Sequence, residues 1–147
     1  MQEDLPHSAS IDFAFLADSV AVAGDRIHAI GAGWNTVSVH AFPASVHSLS
    51  VAMRIRVPWS MGNERFVVQI DLEDEDGFSL LGDNAVSHPF ELGRPPGLPP
   101  GSDLGSVWAY AFNHLELPKP GNYSFVIRID DREAERIRFR AASAHGH

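Results

Sequence analysis

The chain has 147 residues and no cysteine, and its 11 basic and 19 acidic residues give a formal charge of −8. This length fits one domain with its own hydrophobic core, and the lack of cysteine excludes disulfides and thiolate metal sites. The negative charge argues against nucleic-acid binding, because such proteins usually carry a basic surface.

The two ends of the chain are small and polar, so we expect flexible tails at residues 1–9 and 142–147 around a single domain of residues 10–141. The acidic start has neither the basic segment nor the apolar run of a secretory signal. No apolar run reaches the roughly 18 residues that a membrane-spanning helix requires. We therefore expect a cytoplasmic protein that does not contact membranes.

Apolar and polar residues alternate along much of the chain, and this period of two predicts strands with one buried and one exposed face. Such alternation is typical of antiparallel sheets. Residues 26–33 and 36–42 are predicted to form a bent pair of strands. The other predicted strands are residues 11–18, 49–57, 66–72, 78–81, 86–92, 106–114, 123–130 and 136–140. Together they predict an all-β, two-layer antiparallel β-sandwich of about eight or nine strands.

Two hairpin registers follow from the faces that these strands bury. The strands at residues 49–57 and 66–72 can pair as a hairpin with their apolar residues on the same side of the sheet if Val57 lies opposite Phe66 across a loop of residues 58–65. After residues 123–130, a three-residue loop would set Arg128 opposite Arg136. A loop of residues 131–135 sets Asp130 opposite Arg136 instead, and we favour it because opposite charges stabilise a cross-strand pair.

Histidines and acidic residues raise the question of a metal site. A sandwich could bring together some of His40, His47, His88 and His114. However, none of these has the His-x-His or helical spacing of zinc ligands, and His145 and His147, which do, lie in the expected tail. The acidic run before Gly77 resembles half a calcium loop but has Leu72 at the first ligand position, and Asp76-Gly77 is a turn signal. We expect no metal and no cofactor.

A basic face is predicted near the C-terminus, at Arg128, Arg136, Arg138 and Arg140. Guanidinium groups on adjacent strands could bind an anion or an acidic partner. The alternative is a solvated face whose arginines are neutralised by nearby acids, namely Asp130, Asp131, Glu133 and Glu135. We favour the neutralised face.

Two loops carry the residue types that most often anchor interfaces. The loop 93–102 is rich in proline, which removes backbone donors and favours extended geometry, and the loop 58–65 carries apolar residues that need a cover. We predict a binding surface for a protein partner or a second copy at Trp59, Met61, Arg94, Pro96, Leu98 and Pro99. The alternative is that both loops fold over one open end of the sandwich and close its core.

Several segments resemble an uncharacterised family of small bacterial proteins, a domain of unknown function. They include residues 13–18, 30–34, 54–59 and 93–102, of which the string Arg-Pro-Pro-Gly-Leu-Pro-Pro-Gly is the most specific. The resemblance covers about residues 11–140 and implies no activity, so it assigns no site.

No catalytic residue is predicted, because the chain lacks both cysteine and a G-x-S-x-G motif. We therefore expect a non-enzymatic binding or assembly module that acts through the proline-rich and tryptophan-containing loops. The alternative is a small hydrolase or metal-dependent enzyme with a histidine and carboxylate site at one end of the sandwich.

Overall fold

The computed structural model describes residues 8–144 and confirms an all-β fold. Within that range the chain forms nine strands and two short 3-10 turns, at Trp59–Met61 and Gly82–Asn84, and no α-helix. The strands are β1 (Ser10–Ala23), β2 (Arg26–Ala32), β3 (Thr36–Val39), β4 (Ala44–Val57), β5 (Arg65–Asp74), β6 (Val86–Glu91), β7 (Leu104–Leu117), β8 (Gly121–Ile129) and β9 (Arg132–Ser143). None of the described residues belongs to a helix long and apolar enough to cross a membrane.

The nine described strands form two sheets, as predicted. Sheet A has the order β2-β1-β4-β7, and sheet B has the order β3-β9-β8-β5-β6. Neighbouring strands are antiparallel except β3 and β9, which run parallel. The predicted tails lie mostly outside the described residues; β9 itself ends at Ser143.

The core lies between the two sheets and is built from the alternating residues of their central strands. In β4 the buried set includes Val51, Met53 and Ile55, which have no exposed surface. In β5 and β8, Ile70 and Phe125 are equally inaccessible. Burying a side chain of this size stabilises the fold by about 1.5–3 kcal/mol, so the period-two pattern accounts for the sandwich.

The predicted pairing of Val57 with Phe66 is wrong. Strand β4 pairs with β1 and β7 in sheet A, whereas β5 pairs with β6 and β8 in sheet B. The chain passes from one sheet to the other through the 3-10 turn at Trp59–Met61. Two strands can bury their alternate apolar residues either as neighbours in one sheet or by facing each other across the core. The alternation of apolar residues therefore did not decide which strands pair.

The predicted five-residue loop after β8 is also wrong. Asp130 and Asp131 form a two-residue turn, with φ of 48° and 68°, because aspartate tolerates the left-handed geometry that tight hairpins need. The register shifts between Ile127 and Arg128. This β-bulge accommodates the extra residue of β9. It places Arg128 opposite Glu133, so an opposite-charge cross-strand pair does form, but it is not the predicted pair of Asp130 and Arg136.

The weaker strand predictions also need correction. Residues 26–33 and 36–42 do not pair with each other, because β2 pairs with β1 and β3 pairs with β9. Residues 78–81 form no strand and contribute only the isolated bridge from Ser79 to Glu73. Local alternation over four residues could not distinguish a bridge from a strand.

Sheet A is curled into a half-barrel. Its two edge strands, β2 and β7, approach each other although they are not hydrogen-bonded neighbours. The outer face of the sheet is therefore concave, and small residues line the inside of the curve. Ala17 and Ala52 lie on that outer face, opposite the core, and are completely buried.

Candidate functional site

A concave cleft on the outer face of sheet B has the dimensions of a ligand site. Its volume is about 740 Å³, within the range of about 300–1,000 Å³ found for small-molecule pockets. We call it the arginine cleft and define it by Glu73, Asp74, Glu75, Asp76, Arg136, Arg138 and Arg140.

Strand register explains why the arginines share one surface. Alternate residues of a strand point to the same face, so Arg136, Arg138 and Arg140 of β9 form a row. Arg138 lies opposite Ser124 of β8, and Ser124 lies opposite Glu73 of β5. The sequence pattern Arg-Ile-Arg-Phe-Arg therefore gives one buried face and one cationic face.

Glu73 holds two arginines in place at the centre of this face. Its side chain is only 12% exposed, and its two carboxylate oxygens accept hydrogen bonds from Arg128 Nη2 at 3.1 Å and from Arg136 Nη1 at 3.2 Å. Hydrogen bonds between ionised groups are about twice as strong as neutral ones. The carboxylate thus fixes the geometry of the cleft and neutralises part of its positive charge.

Arg136 also pairs with Glu133 on its own strand. Its Nη2 and Nε donate to the two Glu133 oxygens at 2.9 and 3.2 Å. The hydrogen bond from Arg136 holds the pKa of the Glu133 carboxyl below its ordinary value of 4.5. The same contact, followed by the bond to Glu73, raises the pKa of Arg136. Arg136 is therefore occupied by protein partners.

The predicted neutralisation of the basic face holds for only part of it. Within residues 8–144, the side chains of Arg138 and Arg140 make no ion pair or hydrogen bond, and both are exposed. Both line the cleft. The arrangement therefore leaves two adjacent guanidinium groups, each able to donate two parallel hydrogen bonds to a carboxylate or phosphate.

The loop after β5 forms the acidic end of the cleft. Asp74 Oδ1 accepts backbone hydrogen bonds from Asp76 at 2.9 Å and Phe78 at 3.0 Å, which fold the loop into a tight turn. Glu75 lies against Gly121, where an added Cβ would be 2.4 Å from its Oε1. Across residues 8–144, no three histidine, aspartate or glutamate side chains are grouped so that they could hold a metal.

Two of the histidines considered as metal ligands contact each other, and a third contacts aromatic rings instead. The rings of His47 and His114 lie 5.1 Å apart. His88 instead contacts two aromatic rings, those of Phe90 at 4.7 Å and Trp108 at 5.5 Å. His145 and His147 lie outside the described residues.

The two predicted interface loops contact each other. Arg94 donates to the Trp59 carbonyl from Nη2 at 2.7 Å and from Nε at 3.1 Å, and its guanidinium lies 5.1 Å from the Trp59 ring centroid. Trp59, Met61 and Leu98 are half-buried against the core. Pro96 and Pro99 remain exposed. This packing gives the loops a role in closing one end of the core, and a partner at this surface stays a prediction.

Sequence reasoning identified the arginines but missed Glu73. The alternation of the strand placed Glu73 on its outer face with Gln69 and Asp71, but Glu73 was considered only as part of the acidic run that follows it and not as a partner of the arginines. The face of Glu73 was visible in the sequence. The pairing of β5 with β8, which brings Glu73 to the arginines, was not.

Fold and cleft together define a β-sandwich domain with one curled sheet and a charged concave surface on the other. A model of the family of unknown function DUF6941 matches residues 12–142. The chain belongs to that family, which confirms the predicted resemblance to a domain of unknown function. A search of curated proteins found no match.

Proposed function

We propose that this chain is a non-enzymatic binding module that holds an extended, acidic segment of a protein partner in the arginine cleft. The observation that carries the proposal is the pair Arg138 and Arg140, which line the cleft and whose side chains make no ion pair or hydrogen bond among residues 8–144. The arginine row at one end of the cleft attracts ligands of opposite charge. In a chain of net charge −8, this row is a local exception that a ligand can use.

The spacing of the row favours an extended peptide. Alternate residues of a strand are separated by about 6.4–6.8 Å, so Arg138 and Arg140 lie about that far apart along β9. An extended peptide that lies over the outer face of the sheet, along β9, presents its own alternate side chains at the same interval. Acidic residues at every second position would therefore match the two arginines, each through a charge-assisted contact.

The acidic end of the cleft adds directionality. Glu75 and Asp76 have no ion pair among the residues that the structure describes, and both line the cleft. They would repel an acidic segment that continues past the arginines and attract a basic residue placed there. The proposal therefore requires a mixed segment, in which two alternating acids are followed by a basic residue.

Peptide binding tests the proposal. We expect a fluorescein-labelled peptide with glutamate at alternate positions, followed by lysine, to bind more tightly in anisotropy titrations than a peptide of equal composition with consecutive glutamates. Each of Arg138→Gln and Arg140→Gln should weaken binding by about 1.5–3 kcal/mol, or about tenfold or more. Both side chains are exposed, so the thermal midpoint should change little.

Arg65→Gln is the matched control. Arg65 is exposed near the start of β5, makes no side-chain contact among the described residues, and lies outside the cleft. The substitution Arg65→Gln removes the same charge as the other two variants without removing a proposed ligand contact. Equal weakening by all three variants would reduce the effect to net charge and contradict a site at Arg138 and Arg140.

A further inference from the structure

The concave outer face of sheet A contains a second cavity, of about 480 Å³, which differs in character from the arginine cleft. It is lined by residues of β1, β4, β7 and β2 and of the turn before β2, namely Phe13, Phe15, Arg54, Val107, Asp25, Arg26, Ile27, His28 and Ala29. The curl of the sheet brings the residues of β2 together with those of the other strands, because β2 lies near β7 across the concave face. Apolar residues thus lie on both sides of the groove, and the β2 side also carries charged and polar ones.

The apolar walls are partly open to solvent. Phe13 is 43% exposed, and its ring stacks on that of Phe15 at a centroid distance of 6.2 Å. The floor beside them is made of small, fully buried residues such as Ala52, which lies opposite Phe15. An open apolar concavity of this kind is typical of a ligand groove or an interface.

Three charged side chains line the groove, those of Asp25, Arg26 and Arg54, and the two arginines outnumber the aspartate. Arg54 lies opposite Phe13 in β1 and Val107 in β7, and so lines the groove between them. Its Nε is 3.5 Å from Asp12 Oδ2, but its Nη atoms make no hydrogen bond among the residues that the structure describes. An added Cβ at Gly105 would be 2.2 Å from Arg54 Nη2, so glycine there leaves room for the guanidinium.

We infer that this groove binds a medium-chain fatty acid as its carboxylate. The hydrocarbon chain lies against Phe13, Phe15 and Val107, where it buries apolar surface at roughly 25 cal/mol per Å². The carboxylate accepts hydrogen bonds from the Nη atoms of Arg54, whose planar fork matches it. Charge complementarity selects a carboxylate over a neutral or cationic amphiphile.

Calorimetric titration with decanoate, below its critical micelle concentration, tests the inference. We expect saturable one-site binding, and binding at least about tenfold weaker for decanol, which keeps the chain and loses the charge. Arg54→Gln should weaken decanoate binding by a similar factor. Arg56→Gln is the matched control, because Arg56 also pairs with Asp12, at 3.3 Å, but lies outside the groove.

The apolar wall has its own paired variants. Phe13→Ser should weaken decanoate binding at least about fivefold, because it removes a large part of the apolar contact. Ile30→Ser removes a 72% exposed side chain outside the groove and should leave binding unchanged. Arg138→Gln should also leave it unchanged, since the arginine cleft lies on the other sheet. Absence of saturable decanoate binding, equal affinity for decanol, or wild-type affinity in Arg54→Gln overturns the inference.

Discussion

Replacing Glu73 by glutamine removes the carboxylate that holds Arg128 and Arg136 on the outer face of sheet B. The two side chains have nearly the same shape, so the change isolates charge from packing. We expect opposite effects on stability and on ligand binding. Stability should fall because two charge-assisted hydrogen bonds weaken, and affinity for an acidic peptide should rise because the arginine cleft loses a competing negative charge.

The size of each effect follows from the geometry. A hydrogen bond to a charged group contributes about 1.5–3 kcal/mol. Glutamine keeps one acceptor, and Arg136 keeps its contact with Glu133, so we expect a total loss of about 1.5–3 kcal/mol. For binding, a unit charge at about 7 Å interacts by about 0.6 kcal/mol in water. The peptide should therefore bind about threefold more tightly to Glu73→Gln.

Urea unfolding and anisotropy titration measure the two effects on the same samples. The midpoint should fall with an unchanged m-value, which reports stability rather than compactness. Glu116→Gln is the control, because Glu116 is exposed on β7 of sheet A and has no side-chain contact among residues 8–144. It should leave both measurements nearly unchanged. Unchanged stability in Glu73→Gln, or weaker peptide binding, would refute the role assigned to Glu73.

Further predictions concern the loops and the effect of pH. Trp59→Ala should lower the free energy of unfolding by about 3 kcal/mol, the low end for truncating a buried aromatic residue. Its sedimentation behaviour should not change. If Trp59→Ala and Leu98→Asp instead weakened self-association at an unchanged thermal midpoint, the loops would form a partner surface. The pKa of Glu133 is lower in the folded protein than in the unfolded one, so its contribution to stability is present in full above the ordinary value of 4.5 and is lost as the pH falls through the folded pKa. Because Glu133 is 46% exposed, the difference in unfolding free energy between wild type and Glu133→Gln should be at most about 0.5–1 kcal/mol at pH 7 and should vanish in acid.

Periodicity predicted the buried faces of the central strands well, because solvent and core impose opposite demands on alternate residues. It could not predict which strands pair, since residues 49–57 and 66–72 satisfy their burial equally by pairing or by facing each other across the core. The two-residue turn between β8 and β9 was missed because a tight turn of two aspartates with positive φ, combined with a one-residue bulge, buries the same alternate residues of both strands as a longer loop with an odd number of residues.

The curl of sheet A left a signal in β1 that was not used. Residues 13–17, Phe-Ala-Phe-Leu-Ala, are apolar at both parities, which is typical of a strand buried on two faces. The core takes Ala14 and Leu16, and the concave outer face takes Phe13, Phe15 and Ala17. Curvature itself depends on how distant strands meet, and no local pattern encodes it.

The arginine cleft was half predictable for a similar reason. The row of arginines is contiguous in sequence, so its shared face followed from alternation. The pairing of Arg128 and Arg136 with Glu73 joins residues 55 and 63 positions apart, and only the tertiary fold shows that Arg138 and Arg140 are the two left over.

A charge exchange between protein and peptide tests the proposed binding site most directly. Arg138→Glu should weaken binding of the alternating glutamate peptide by more than the loss of about 1.5–3 kcal/mol, or tenfold or more, expected for Arg138→Gln, because it adds like-charge repulsion. A peptide with arginine in place of the glutamate that faces position 138 should bind this variant more tightly than it binds the wild type. A coupling free energy of about 1.5 kcal/mol or more between the two exchanges would support direct contact. Strictly additive effects would contradict the placement of the acidic segment over Arg138 and Arg140.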